Sequence, residues 1–386
     1  MAVVTGVRDT RNITQNKIVV DMSEKIALLQ PNAEPFLAFL KIAKRNTEPT
    51  HNPKFEWMED DLLPRWDAIN NGGGYPSNAT SIVVDNANYF TKNDIVKVPR
   101  TGEVMLVTNV NVATNTLTVV RGYGVTTAAN LDDNDPLVII GNVNEEGSGT
   151  REIKSTLEVP KYNYTQIFKT PFAVTNTEKA TKMYGGKDIN YQRMKASIQH
   201  RVDMARAFVF GERKEDLSGP HPKRATGGLL SFLTENNYDA GGQLTQTEFD
   251  NNISEVVFKY GSKRKILLAS ARLLSIINSW ALGKLMIDEE AKKYGLAIFR
   301  YITPFGEYAI MNYQHILEGA VYGGYGIVID PENVKYRPLA GRDTKLETNI
   351  QANDEDQTKE QYITEAGLEV RLPKTHAVIT GVTSAA

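Results

Sequence analysis

Residues Asp188–Phe210, DINYQRMKASIQHRVDMARAFVF, are the longest run with an unbroken helical period in this chain of 386 residues. Met194, Ile198, Val202, Ala205 and Val209 recur at steps of four, four, three and four, which places them on one face. Arg193, Lys195, Gln199, Asp203 and Arg206 fall between them and keep the other faces wet. Gly185 and Gly186 break whatever precedes the run, Asp188 can cap its first turn, and Gly211 follows as a stop. At ~1.5 Å per residue the helix is about 35 Å long, enough to brace a whole domain. Short strands and loops surround it, so the helix has β-rich material to organise on both sides.

A chain of this length exceeds one core and suits two or three modules of ~100–200 residues. Apolar residues make up 41% and charged residues 23%, the balance of an ordinary globular protein. No apolar run approaches the ~20 residues of a membrane span. The first residues, MAVVTGVRDTRN, are too polar for a secretory signal. With no cysteine, disulfides, thiolate nucleophiles and zinc–thiolate sites are excluded, and synthesis in a reducing cytoplasm is expected. A protein that wraps nucleic acid carries a basic excess; the net charge here is −2, so contact with DNA is expected to be weak and non-specific.

Residues 1–30 lack a period and read as an extended arm. Residues 32–45 read as a short amphipathic helix with Phe36, Phe39, Leu40 and Ala43 on one face, either packed in the core or docked on a neighbouring subunit. Phe55, Trp57, Leu62, Leu63 and Trp66 then bring large apolar area beside Glu56, Glu59, Asp60 and Asp61, a pattern that suits an interface or a satellite core equally. Five strands are expected at 81–84, 95–98, 104–110, 116–121 and 137–140, with turn residues between them. Together they make a compact antiparallel sheet or small barrel, inserted between segments of different pattern. Residues 154–171 alternate as a two-stranded return would.

After the long helix come a helix over 248–260 opened by Thr247, a buried strand over 265–269, and a helix capped by Ser270. Strands follow at 297–302, 307–312, 326–329 and 334–339, then a polar stretch over 347–361. The tail reads as a hairpin-like pair, 362–372 and 375–382, turned through Pro373-Lys374. Helices and strands mix without βαβ regularity, so the class is α+β.

A search for chemistry finds none. Gly185-Gly186-Lys187 precedes Asp188 where a phosphate loop needs a hydroxyl, and the other glycine clusters lack the dinucleotide fingerprint. His51, His200, His221, His315 and His376 are isolated and make no metal spacing; His200 is expected to be solvated or hydrogen-bonded. The acidic clusters at 59–61, 132–135 and 354–356 lack the alternation of a calcium loop. Sequons such as Asn163 carry little meaning without a secretory route. No catalytic residue, metal or cofactor is expected. An arm, an aromatic-rich loop and an inserted β module look like parts of an assembly.

The order of parts resembles the major capsid protein of tailed bacteriophages, the Hong Kong 97-like fold. FEWMEDDLLPRW (55–66) looks like the start of that family's extended loop, Asp188–Phe210 like its spine helix, and ATGGLLSFL (225–233) like the exit toward its axial domain. The blocks 302–316, 326–343 and 364–382 look like its closing strands. The resemblance implies an N-terminal arm over 1–46 and an extended loop over 47–176 carrying an inserted β-rich domain at 78–143. It further implies a spine helix and peripheral domain over 177–217, an axial domain over 218–330 and return strands over 331–386. It implies no enzyme but a coat protein, made in the host bacterial cytoplasm, that assembles through hexamers and pentamers into an icosahedral shell around packaged DNA. A separate scaffolding protein, a portal and a decoration protein would be partners, and no membrane would. The side chains expected at subunit interfaces are Phe36, Phe39, Leu40, Phe55, Trp57 and Trp66. Two other classes stay open: a tail-tube or decoration protein, and a carbohydrate-binding or carbohydrate-active protein that uses the β module.

Overall fold

The computed structural model describes residue 36 and residues 47–181, 188–280, 285–287 and 298–385. The expected arm over 1–30 lies outside them, as do Phe39 and Leu40. The described residues fall into two compact units, one within Met1–Trp57 and Lys161–Ala386 and the other within Met58–Pro160.

Strand β1 (Lys54–Glu59) opens the order. The second unit then runs β2 (Trp66–Ala68), β3 (Ser81–Val83), β4 (Asp94–Lys97), β5 (Val104–Asn111), β6 (Thr116–Val120) and β7 (Pro136–Asn142). They form one antiparallel sheet in the order β2-β7-β4-β5-β6-β3. Its two edges meet: Ile69, just after β2, pairs with Val84, just after β3, so the sheet curls closed as a six-stranded barrel. Inward residues such as Ile82, Val96, Met105, Val107, Leu117 and Leu137 fill one core. Sequence periodicity places five of these strands within one to two residues. It misses β2, a three-residue strand whose exposed Trp66 and half-buried Asp67 give no apolar alternation.

In the first unit, β8 (Val159–Tyr164) pairs with β1, and β9 (Gln166–Thr175) pairs instead with β20 (Gln357–Val370). The expected two-stranded return over 154–171 is therefore two strands with different partners. Between these come a short hairpin of β10 (Lys214–Asp216) and β11 (Lys223–Ala225), then β12 (Asn237–Leu244) and β13 (Arg264–Ala269). They are followed by β14 (Leu285–Ile287), β15 (Ile298–Ile302), β16 (Glu307–Asn312), β17 (Gly326–Ile329), β18 (Val334–Pro338) and β19 (Lys345–Glu347), and after β20 by β21 (Ala377–Ala385).

A seven-stranded mixed sheet in the order β12-β21-β17-β13-β16-β15-β14 carries the main cores. The period of two sends alternate side chains to opposite faces. Ile266, Leu268, Met311, Ile327 and Val378 join one core with the long helix. Leu267, Ala269, Ile310, Val328 and Ile379 join the other with the helix Ala271–Trp280. That helix begins as expected, with the Leu273 amide donating to Ser270 Oγ at 3.3 Å. The helix expected at 248–260 instead begins after Thr245, whose side chain and Glu248 form a capping box, and it contains a six-residue π turn over Phe249–Ser254.

The hairpin-like tail is overturned. β20 lies in a four-stranded sheet with β9, β18 and β19, whereas β21 lies between β12 and β17 in the seven-stranded sheet. Leu372, with φ of 50°, and the 3-10 turn Pro373–Thr375 redirect the chain from one sheet to the other. The polar stretch over 347–361 is also shorter than expected, because β20 begins at Gln357 against β9.

The long helix spans Asp188–Phe210 as expected and packs on β9 and β20, on a face that keeps Ala205 and Val209 of the expected stripe but not Met194. Its buried stripe is Ala196, His200, Met204, Ala205, Phe208 and Val209, while Met194 is 47% exposed. Polar residues lie on that stripe because the sheet satisfies them. Arg193 makes two bonds of 2.6 and 2.7 Å to buried Glu360, and His200 sits between Thr170 Oγ1 at 2.9 Å and Thr364 Oγ1 at 2.8 Å. Arg193, expected on a wet face, thus reaches the sheet, and His200 takes the hydrogen-bonded of its two expected roles.

At the helix end the Gly211 amide donates to the Ala207 carbonyl at 2.8 Å, and the Gly228 amide donates to the Gly211 carbonyl at 2.7 Å. A Cβ on Gly228 would stand 2.7 Å from the Ala207 oxygen and 2.8 Å from the Gly211 nitrogen, both backbone atoms that cannot swing aside. Gly228→Ala is expected to destabilise the dissociated subunit by about 3 kcal/mol. Gly72→Ala, where a Cβ meets nothing within 4 Å, is expected to leave the melting temperature in place; calorimetry on both variants checks the contrast.

Candidate assembly surfaces

Two buried polar clusters show which parts of the first unit are already complete. Asn163, on β8, is fully buried. Its Nδ2 points at Thr226 Oγ1 (3.2 Å), the Gly227 carbonyl (3.0 Å) and the Leu368 carbonyl (2.6 Å). Its Oδ1 accepts the amides of Gly227 and Tyr164, each at 2.8 Å. One side chain thus ties β8 to the Gly227-Gly228 turn behind the long helix and to β20. In sequence alone Asn163 reads only as a sequon. The available signal was a polar residue between Tyr162 and Tyr164 in an alternating β run, the position of an inward group that must find partners.

The second cluster centres on Asp330, at the end of β17. Lys265 Nζ donates to its Oδ2 at 2.7 Å, and neither side chain is exposed. Ser262 donates to both carboxylate oxygens, each at 2.8 Å. Burial alone would push the Asp330 carboxyl up, but the Lys265 and Ser262 donors hold it below its ordinary value. The Asp330 amide donates to His376 Nδ1 at 3.0 Å, which leaves Nε2 as the donor to the Arg371 carbonyl at 2.9 Å. Burial therefore pushes the His376 imidazole down to about 4.

Neither cluster opens onto a reaction site; both are internal fasteners. Among the described residues, no three His, Cys, Asp or Glu side chains gather as a metal site, and no helix is long and apolar enough to cross a membrane.

The outward surface is different. Of the residues expected at interfaces, Phe36 is helical and fully buried, edge-on to Tyr313 with ring centroids 6.3 Å apart. Phe55 and Trp57 are buried and stack at 6.2 Å, and Trp57 also meets Phe232 at 5.9 Å. The Phe55 ring covers Gly367, where a Cβ would stand 2.7 Å from it. These three rings have little area left to offer a neighbour. Trp66 is placed otherwise, at 59% exposure. In the second unit it stands on the outer wall of the barrel opposite Val138, on the side where Ile140 is also exposed. Met58 and Leu62, which precede it, are 64% and 87% exposed, and the acidic Glu59, Asp60 and Asp61 lie among them.

The described residues close their own cores and leave an apolar, acid-rimmed stretch in solvent. The sequence profile of the SU10 major capsid protein family matches residues 5–383, and the chain belongs to that family. A major capsid protein of Pseudomonas phage PaMx41 is 25% identical over 337 residues, covering 80% of each protein. Among solved structures, the capsid of a native GTA particle aligns over 98% of both chains at 9% identity with a TM-score of 0.49. The holo-SrpI encapsulin complex of Synechococcus elongatus PCC 7942 aligns over 59% of this chain and 78% of that one, at 12% identity and a TM-score of 0.40. The protein is thus a shell-forming coat protein of a phage virion, and the tail-tube and decoration readings fall away.

His376 gives this subunit a measurable acid sensitivity. Its folded pKa lies below its unfolded value, so the unfolded chain binds the extra proton first as pH falls. Stability is full above about pH 6.5 and declines toward pH 4, by about 3 kcal/mol in total. Denaturant titrations of the dissociated subunit between pH 7 and 5 are expected to show this slope, and His376→Gln is expected to flatten it.

Proposed function

We propose that this coat protein assembles as a Hong Kong 97-like subunit, in which residues 1–46 act as an arm and residues 47–176 as an extended loop carrying the barrel. Pentamers and hexamers would form through heterologous contacts between different patches and tile an icosahedral shell. Each contact can be modest, because every further one within a ring is intramolecular and adds avidity. The observation that carries this reading is the exposure of Met58, Leu62 and Trp66 immediately beyond Phe55 and Trp57, which are anchored in the body.

The net charge of −2 fits an inner wall that meets packaged DNA weakly and without sequence preference. A scaffolding protein, a portal and a decoration protein are the further partners this role calls for, with synthesis in the host cytoplasm.

Two variants test the reading. Phe36 belongs to the body's core, so the informative truncation removes residues 1–30 and spares it. The truncated subunit is expected to melt with the full chain and to form no regular shells by negative-stain microscopy; normally sized shells would overturn the arm assignment. Trp66→Ala is expected to leave the melting temperature of the dissociated subunit unchanged while weakening each subunit contact by about 2 kcal/mol, read as a higher concentration threshold for assembly.

A further inference from the structure

Residues 47–50 make a contact that neither the shell role nor the family assigns. They lie along the free edge of β18 as a short parallel strand, with Thr47 opposite Tyr336 and Thr50 opposite Leu339. The Glu48 amide donates to the Tyr336 carbonyl at 3.0 Å, the Thr50 amide to the Pro338 carbonyl at 2.8 Å, and the Ala340 amide to the Thr50 carbonyl at 2.8 Å. Pro49 falls between the two inward donors, where its nitrogen faces away from β18 and has no hydrogen to offer another strand.

Three backbone bonds are a weak hold. The rest comes from the Glu48 carboxylate, whose Oε2 meets Lys335 Nζ at 2.7 Å and whose Oε1 meets Arg337 at 2.6 Å. Those two cations hold the Glu48 carboxyl down to about 2, so it stays charged at any physiological pH. Arg337 is itself braced, 3.3 Å from buried Glu369 and over the Phe55 ring at 5.4 Å. β18 does not need the segment, because all five of its residues pair with β20 on the other side.

We propose that residues 47–50 are a detachable strap, and that the ion pairs of Glu48 with Lys335 and Arg337 are what fasten it to the β18 edge. Glu48 is half exposed, so its carboxylate is open to solvent and to salt, while Lys335 and Arg337 are more covered at 23% and 11%. Loosening them frees the strap while the sheet stays folded. The free subunit would hold the strap down. A competing charge from an adjoining copy would release it, giving the shell one sequence with two positions of residues 47–50. That last consequence rests on the proposed assembly; the release itself does not.

The test is hydrogen exchange on the dissociated full chain. In Glu48→Gln, peptides covering 47–50 are expected to exchange at least tenfold faster, with β20 unchanged. In Glu56→Gln, which breaks only the exposed Lys54–Glu56 pair, residues 47–50 are expected to exchange as in the parent. The unmodified protein carries the same test in solution: raising salt from 0.05 to 1 M is expected to quicken exchange at 47–50 ahead of β20, through screening on the order of angstroms. Unchanged exchange at 47–50 would overturn the strap, and so would acceleration of β20 in step with it. Faster exchange at 47–50 with regular shells still forming would uphold the strap and remove its link to assembly.

Discussion

The body of this subunit depends on one buried amide. Asn163 joins segments as far as 205 residues apart, and it does so fully buried. An amide left half satisfied in such a place costs more than the same group at the surface, so the cluster holds all of its members or none. Its placement sets the rest. The Gly227-Gly228 turn is held against the end of the long helix, Gly228 has to lack a side chain there, and β20 is fixed beneath the helix with His200 and Glu360 in reach.

Given that anchor, the seven-stranded sheet can be buried on both faces, with one core under the long helix and another under Ala271–Trp280. The barrel closes a third core by itself and adds a buried pair, in which Arg121 grips Glu103 through two bonds of 2.7 and 2.8 Å. A shell subunit gains from such completeness. Its fold does not wait for neighbours, and its exposed apolar area can be reserved for contacts that form and rearrange during assembly.

Much of this was legible from residue order. The extent of the long helix, the Ser270 cap and five of the barrel strands follow from periodicity and turn residues alone. What periodicity could not supply was the identity of polar residues that face inward. Arg193 reads as a wet position although it reaches Glu360, and neither the inward place of Asn163 in its β run nor the charge of Glu48 names partners far along the chain. The tail failed for a related reason: two apolar strands joined by a short turn look like a hairpin, and only the left-handed Leu372 before Pro373 shows that they part. Of the interface candidates, Phe55 and Trp66 look alike in sequence, being aromatics beside acids. One has a glycine on β20 to pack on and the other faces solvent from the barrel wall.

The central claim is that the body is finished in the free subunit while the stretch from Met58 to Trp66 is completed only by neighbours. Comparing hydrogen exchange in dissociated subunits and assembled shells tests it most directly. The expected result is strong new protection on assembly at residues 58–66, with Asn163, His200 and Phe208 already protected in the free subunit and little changed. Equal exchange at 58–66 in both states, or protection at Asn163 and the long helix that appears only in the shell, would contradict it.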